Sequence, residues 1–293
     1  MRLILWLALS LSLALGCVLS AGRISTARFL QQPATPAPAA GPSVETTPST
    51  PASSKVWVGH YAEYEDFLRT AVIDRLSNPS IGVTGGTKHA YFKPGGLVAG
   101  GALRDLSPGR YGGFFESYKS EIAAYRLDRL LELDMVPPTV EVRYNGKMAS
   151  LQLWVQNTRT LKENDEKKLR APDAGQWNYQ RNRMYMFDDL VGNIDENQGN
   201  LLLDPQWNFI KIDCSRCFTN TLEQPFEIGK KLTRIDRPFF DRVKALDKAT
   251  VKREIGEFVE GGTIDALFAR RDVIVKVFDK LVRAKGESQV ILP

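Results

Sequence analysis

The sequence predicts an α+β protein of two lobes, strand-rich in its first half and helical in its second. Short β-type runs separated by turn residues fill the first half of the folded region. Apolar residues at helical spacing dominate the second half. A polar, loop-like stretch over residues 162–175 separates the two characters.

Residues 1–21 read as an export signal or anchor. Arg2 is followed by an apolar run over residues 3–15, broken only by Ser10 and Ser12, and then by Gly16-Cys17. Three readings stay open: cleavage after Gly16 or Ala21, acylation of Cys17 as in a bacterial lipobox, and an uncleaved anchor over residues 3–21. Residues 22–55 form a linker. Six prolines between Pro33 and Pro51, with almost no large apolar residue from 31 to 54, keep it extended and coreless. An exported, extracytoplasmic domain on a tether is the expectation, with the membrane a partner through the N-terminus.

The first lobe is expected over residues 56–158. Phe67, Leu68, Ala71, Val72 and Leu76 predict a helix over 64–76. Residues 81–83 and 89–92 read as strands around a turn at Gly85-Gly86. Residues 94–113 are rich in glycine and are expected to be loop. A helix follows over 118–131, with Ala123, Leu127, Leu130 and Leu131 on one face. Strands over 139–143 and 150–155 are joined through Tyr144-Asn145-Gly146.

The second lobe is expected over residues 159–293. Met184, Phe187, Leu190 and Val191 align on a helix over 179–191. A hairpin of residues 201–203 and 209–212 turns at Asp204-Pro205-Gln206. Ile264, Leu267, Phe268, Ile274, Phe278 and Leu281 mark a long amphipathic helix beyond it.

The net charge of +5 is spread along the chain without a long basic run, so no nucleic-acid partner is expected. The chemistry concentrates elsewhere. Asn200 stands just before the first hairpin strand and Asp213 just after the second, which puts them at one end of an antiparallel pair. The loop carrying Asp195 enters at that end. Two carboxylates and an amide are hard oxygen ligands, suited to Mg²⁺ or Mn²⁺ bridging phosphates. Phosphoryl transfer also needs a cation on the phosphates and a carboxylate to hold it. Lys93, at the end of a strand, and Glu121, on the next helix, are the expected pair.

Five segments in order resemble the atypical kinase superfamily, which includes the secretory-pathway Golgi casein kinases and four-jointed, the HipA kinases and the phosphatidylinositol kinases. They are Phe92-Lys93-Pro94, the stretch from Ser120-Glu121 to Leu131, Val136-Pro137-Pro138-Thr139-Val140, the stretch from Gly192 through Asp195 to Asn200, and Phe209-Ile210-Lys211-Ile212-Asp213. The resemblance implies a two-lobed protein-kinase-like fold that binds ATP, or another nucleoside triphosphate, with Mg²⁺ or Mn²⁺. It implies that Asp195 is the catalytic aspartate, that Asn200 and Asp213 hold metal, and that Lys93 contacts the phosphates with Glu121 orienting it. Gly85 and Gly86 would lie in the phosphate-covering turn, and Gln152 and Trp154 in the hinge against the base. The implied activity is transfer of a phosphoryl group to a hydroxyl on a protein, sugar or lipid.

One departure stands out: Asp195-Glu196-Asn197 replaces the family's Asp-Arg-His or Asp-x-His. It leaves a nucleotide-binding pseudokinase, or a non-catalytic exported binding protein, as the alternative. A calcium loop built on Asn193, Asp195, Asn197 and Asp204 fits poorly, because Gln198 occupies the place that needs glycine. Of Asp188 and Asp189, one is expected to cap or hydrogen-bond and the other to be exposed. Cys214 and Cys217 are read either as a local disulfide or as two buried thiols. His60 and His89 suggest no site, and Trp57, Trp154, Trp177 and Trp207 are read as core or rim residues.

Overall fold

In a computed structural model the described residues are 52–78, 86–195, 197–222 and 228–293. The expected strand over 81–83, Gly85 and Glu196 lie outside them.

The first helix, α1 (Tyr61–Thr70), ends six residues before the expected position. Ala71 is extended at φ −61° and ψ 130°, and the β-branched Val72 and Ile73 favour the strand that follows. That strand is β1 (Ile73–Ser77), antiparallel to β2 (Thr87–Phe92). Next comes β3 (Gly100–Arg104), inside the stretch expected to be loop. Its two leading glycines hide the strand from propensity, yet packing demands them. A Cβ at Gly100 would stand 2.8 Å from the His89 ring, and one at Gly101 2.8 Å from a Leu151 methyl.

A small hairpin, β4 (Gly109–Tyr111) and β5 (Phe114–Glu116), leads into α2 (Tyr118–Leu130). Ser117 caps α2 by accepting from the Lys119 amide. Then β6 (Thr139–Tyr144) and β7 (Lys147–Leu153) form the expected hairpin, and the five-stranded sheet runs β1-β2-β3-β7-β6. One face of this sheet, carrying Ala90, Phe92, Leu103, Leu151 and Leu153, packs with Trp57 and with Leu68 of α1 into the first core.

Next come β8 (Arg159–Thr160) and α3 (Leu161–Glu166), which a Thr160–Glu163 capping box starts and which runs into the expected loop. The long α4 (Ala174–Val191) is capped by Asp173. After a 3₁₀ turn (Gln198–Asn200), β9 (Leu201–Leu203) and β10 (Phe209–Lys211) pair as expected and join β8 in a three-stranded sheet. The remainder is β11 (Ile235–Asp236), α5 (Arg237–Ala245), α6 (Lys248–Ile255), α7 (Thr263–Lys285), α8 (Glu287–Val290) and β12 (Ile291–Leu292), with β12 parallel to β11. Phe187, Leu190, Phe209, Phe239, Leu267 and Phe278 form the larger core, and Ile122, Ala123 and Leu127 of α2 belong to it. The helix of the first lobe is thus fastened to the second.

Two serines before residue 56 are tied to the hairpin turn. The Ser53 hydroxyl and the Ser54 amide both donate to Asp204 Oδ2, at 2.7 and 3.1 Å. Among the described residues, no helix is long and apolar enough to cross a membrane.

Candidate functional site

The hairpin brings Asn200 and Asp213 to one end, as the pattern demands. The last ladder pair is Lys211 with Leu201, and the Ile212 amide donates to the Asn200 carbonyl at 3.0 Å. Asn200 is buried, while Asp213 stays partly open and holds a φ of +55°. That left-handed kink, uncommon for a residue other than glycine, lies two residues beyond the end of β10.

The loop bearing Asp195 is placed by a buried polar chain. Helix α4 closes on Gly192 at φ +61°, where a Cβ would meet Arg270 Cζ and Thr219 Oγ1, each at 2.8 Å. Beside it, Asp188 Oδ1 accepts from Lys211 Nζ at 2.6 Å and from Asn193 Nδ2 at 3.0 Å. Asn193 Oδ1 accepts from the Asp195 amide at 3.0 Å. Burial works against the Lys211 ammonium, but Asp188 outweighs it and raises its pKa, while burial raises the Asp188 carboxyl against the pull of Lys211. Asp189 is buried too, which corrects the expectation that one of the two aspartates is exposed.

The cation that faces Glu121 is Arg104, not Lys93. Arg104 Nε stands 3.2 Å from Glu121 Oε1, and its Nη2 stands 2.8 Å from Asp213 Oδ1. Glu121 Oε2 accepts from the Cys214 amide at 2.9 Å. Burial pushes the Glu121 carboxyl up to about 7, with Arg104 pulling against it. Lys93 is exposed at the far end of β2. Arg104 pairs with Thr87, and six residues of strand at ~3.3 Å each put Lys93 roughly 20 Å away. No lysine side chain spans that gap, so the expected Lys93–Glu121 pair does not form.

Register shows which side chains share the face with Arg104. Thr87, His89 and Tyr91 of β2 lie opposite Arg104, Ala102 and Gly100 of β3, and Ser150 and Gln152 of β7 lie opposite Arg104 and Ala102. Directly opposed residues point to one side, so this row shares the sheet face from which Arg104 reaches Asp213 and forms a roof over the hairpin end. Gln152 sits in it, buried, and donates to Thr139 Oγ1 at 2.9 Å. The Trp154 ring stacks on His89 at 3.7 Å, His89 on Tyr91 at 4.0 Å, and Arg75 covers Tyr91 at 3.5 Å. His89 therefore joins a roof in which sequence reading placed only Gln152 and Trp154. Gly86, at φ +93°, directly precedes Thr87 and so sits at the Arg104 end of the sheet.

A second arginine closes the front. Arg216 Nε and Nη2 bind Glu116 Oε1 at 3.0 and 2.8 Å, and Nη1 stands 3.5 Å from Asp195 Oδ2. The Ser117 amide donates to the Ser215 carbonyl at 3.0 Å, joining the foot of the β4–β5 hairpin to the turn after Asp213. Sequence reading singled out neither arginine. Ala102-Leu103-Arg104 was masked by the glycines before it, and Arg216 by the cysteines on either side.

Cys214 and Cys217 are free, buried thiols, and burial raises the pKa of Cys217. The calcium loop does not form: Asp204 is fully buried and bound to Ser53, Ser54 and Asn208, away from Asp195. Among the described residues, no three His, Cys, Asp or Glu side chains are grouped to hold a metal. The donors at the hairpin end, an Asp213 carboxylate and the Asn200 amide, still fit a hard cation that takes its other oxygens from phosphate and water. A cavity of about 380 Å³ lies elsewhere, lined by residues including Lys55, Asp134, Gln176 and Arg183.

Compared by sequence, the chain matches no protein-family pattern and no curated protein. Compared by structure, it resembles the Fam20 protein of hydra, solved with sugar, at a TM-score of 0.60 and 15% identity over 79% of this chain and 92% of that one. It also resembles the Golgi casein kinase with Mn/ADP bound, at a TM-score of 0.62 and 13% identity over 79% and 78% of the two chains. The chain has the two-lobed fold of atypical kinase-like proteins.

Proposed function

We propose that this protein binds a nucleoside triphosphate with Mg²⁺ or Mn²⁺ in the cleft between its lobes and transfers the terminal phosphoryl group to a hydroxyl. The observation that carries the reading is Arg104, held between Glu121 and Asp213 at the hairpin end that also carries Asn200, with Arg216 of the following turn facing Asp195, within this fold. The hard cation, held on Asn200 and Asp213, would offset phosphate charge. Arg104 takes the role expected of Lys93: at the Gly86 end of the roof, it presents a fixed positive charge to the phosphates. Trp154, His89 and Gln152 line the roof where a base would lie. Asp195 accepts the proton of the attacking hydroxyl, and the Lys211–Asp188–Asn193 chain holds its loop in place. The apolar run over residues 3–15 and the proline-rich linker support a location outside the cytoplasm, reached by cleavage after Gly16 or Ala21, by acylation of Cys17 or through an uncleaved anchor.

The Arg104–Asp213 contact also supports a second reading, a protein that binds nucleotide without transferring phosphate. Arg104 already occupies one oxygen of the proposed metal ligand.

Thermal unfolding with ATP and Mn²⁺ tests the shared part: stabilisation is expected, and Asp213→Ala abolishes it. No stabilisation by any nucleoside triphosphate would sink both readings. Turnover of ATP that disappears in Asp195→Ala separates transfer from binding alone, whereas turnover that survives it removes Asp195 from the mechanism.

A further inference from the structure

We propose that Arg216 is a further catalytic residue, whose guanidinium takes up the charge of the phosphoryl group in transit, aimed by the buried carboxylate of Glu116. The proposal rests on the phosphotransfer reading above.

Arg216 hangs from the turn that follows Asp213, and Glu116 holds it from behind through Nε and Nη2. Glu116 is buried at the foot of the β4–β5 hairpin. The Phe114 ring lies 4.8 Å from the guanidinium carbon and limits its swing. Three supports thus fix the plane of the fork. The remaining amine, Nη1, turns toward Asp195 Oδ2 at 3.5 Å, which is too long for a strong charge-assisted bond. Its donors remain available beside the carboxylate that receives the acceptor's proton.

Arg270 shows what a structural arginine looks like in this fold. It is fully buried and donates to the carbonyls of Leu190, Thr219 and Thr221. The side chain of Arg216 is 27% exposed and faces a catalytic carboxylate rather than backbone. Arg104 cannot serve the same end, because Glu121 and Asp213 hold it at the roof.

In the transfer step the acceptor oxygen forms a bond to phosphorus and its proton passes to Asp195. The bond from phosphorus to the bridging oxygen breaks, and that electron pair leaves with the nucleoside diphosphate. Negative charge spreads over the three equatorial oxygens meanwhile. A donor already oriented stabilises that charge without reorganising. Arg216 makes no covalent bond. Glu116 is a positioning residue, acting only through Arg216.

The test measures the affinity of the full chain for ADP with Mn²⁺, with and without aluminium fluoride, a mimic of the phosphoryl group in transit. Wild type is expected to bind ADP at least about tenfold more tightly when aluminium fluoride is present. Arg216→Met keeps its ADP affinity and loses that gain. Arg216→Lys recovers part of it, and Glu116→Gln loses part of it. An unchanged gain in Arg216→Met overturns the proposal, as does a wild type that binds ADP without any gain. Loss of ADP affinity together with the gain, in both Arg216→Met and Arg216→Lys, shows a structural arginine and also overturns it. A wild type that binds no ADP defeats the nucleotide reading itself, and the proposal with it.

Discussion

Arg104 of β3 and Asp213, just beyond β10, stand 2.8 Å apart and join the strand sheet of one lobe to the hairpin of the other. Glu121 of α2 lies on the other side of the same guanidinium. The contact ties the sheet, α2 and the hairpin end together through one side chain.

Arg104→Met leaves two carboxylates facing each other around an apolar side chain. Removing one partner of a buried ion pair costs about 3–5 kcal/mol, and a loss of that size is expected in urea unfolding followed by tryptophan fluorescence. Arg104→Lys keeps the charge but not the fork, so its loss should be smaller. Equal losses in the two variants would show that packing, not charge, is what Arg104 supplies.

Gly192→Ala forces a left-handed φ on alanine and drives its methyl into Arg270 and Thr219. The two effects together should cost on the order of 2–4 kcal/mol. Asp195 is three residues away, so ATP turnover should fall at temperatures where the variant is still folded. Unchanged stability would mean that Arg270 yields easily.

Asp128 of α2 accepts from the Met135 and Val136 amides, and burial raises its carboxyl from 3.8 to about 7. Between those pH values the folded protein keeps a proton that the unfolded chain has released. Its contribution to stability therefore falls as pH rises through that window. Asp128→Asn keeps an acceptor without the charge, so its stability relative to wild type should increase from pH 4 to pH 8. A difference that does not change with pH would contradict the assignment.

Asp204 shows the opposite sign. Burial opposes its charge, but donors from Asn208, Ser53 and Ser54 outweigh it and lower its pKa below 3.8. Its stabilisation is full above that value and is lost as pH falls through the lowered one. Asp204→Ala should be clearly less stable than wild type at pH 7, and the two should converge in strong acid. A fragment that begins at Val56 loses the serine donors as well and should be destabilised at pH 7, by roughly 1–3 kcal/mol for the unsatisfied carboxylate.

The legible parts of the fold were those with local signatures. Helix α2, the β6–β7 hairpin and the β9–β10 hairpin follow from apolar spacing and turn residues, and the convergence of Asn200 with Asp213 follows from the last of these. The strand β3 was not legible, because glycines at 100 and 101 carry no β-propensity. Their requirement comes from His89 and Leu151, which approach from neighbouring strands. Helix α1 was overextended because Ala71, Val72 and Leu76 continue a helical stripe that a partner strand converts to β1.

By itself the sequence determined the two-lobe α+β order, the placement of Asn200 and Asp213 at one end of the β9–β10 hairpin, and that of Glu121 on α2. These depend on short-range spacing, which a linear pattern records. Only the tertiary structure decided which cation answers Glu121. Lys93, just past the end of β2, and Arg104 of β3 flank adjacent antiparallel strands along which the chain doubles back, so nearness in sequence does not rank their distance to α2. Register does: it carries Lys93 to the far end of the sheet and sets Arg104 between Glu121 and Asp213.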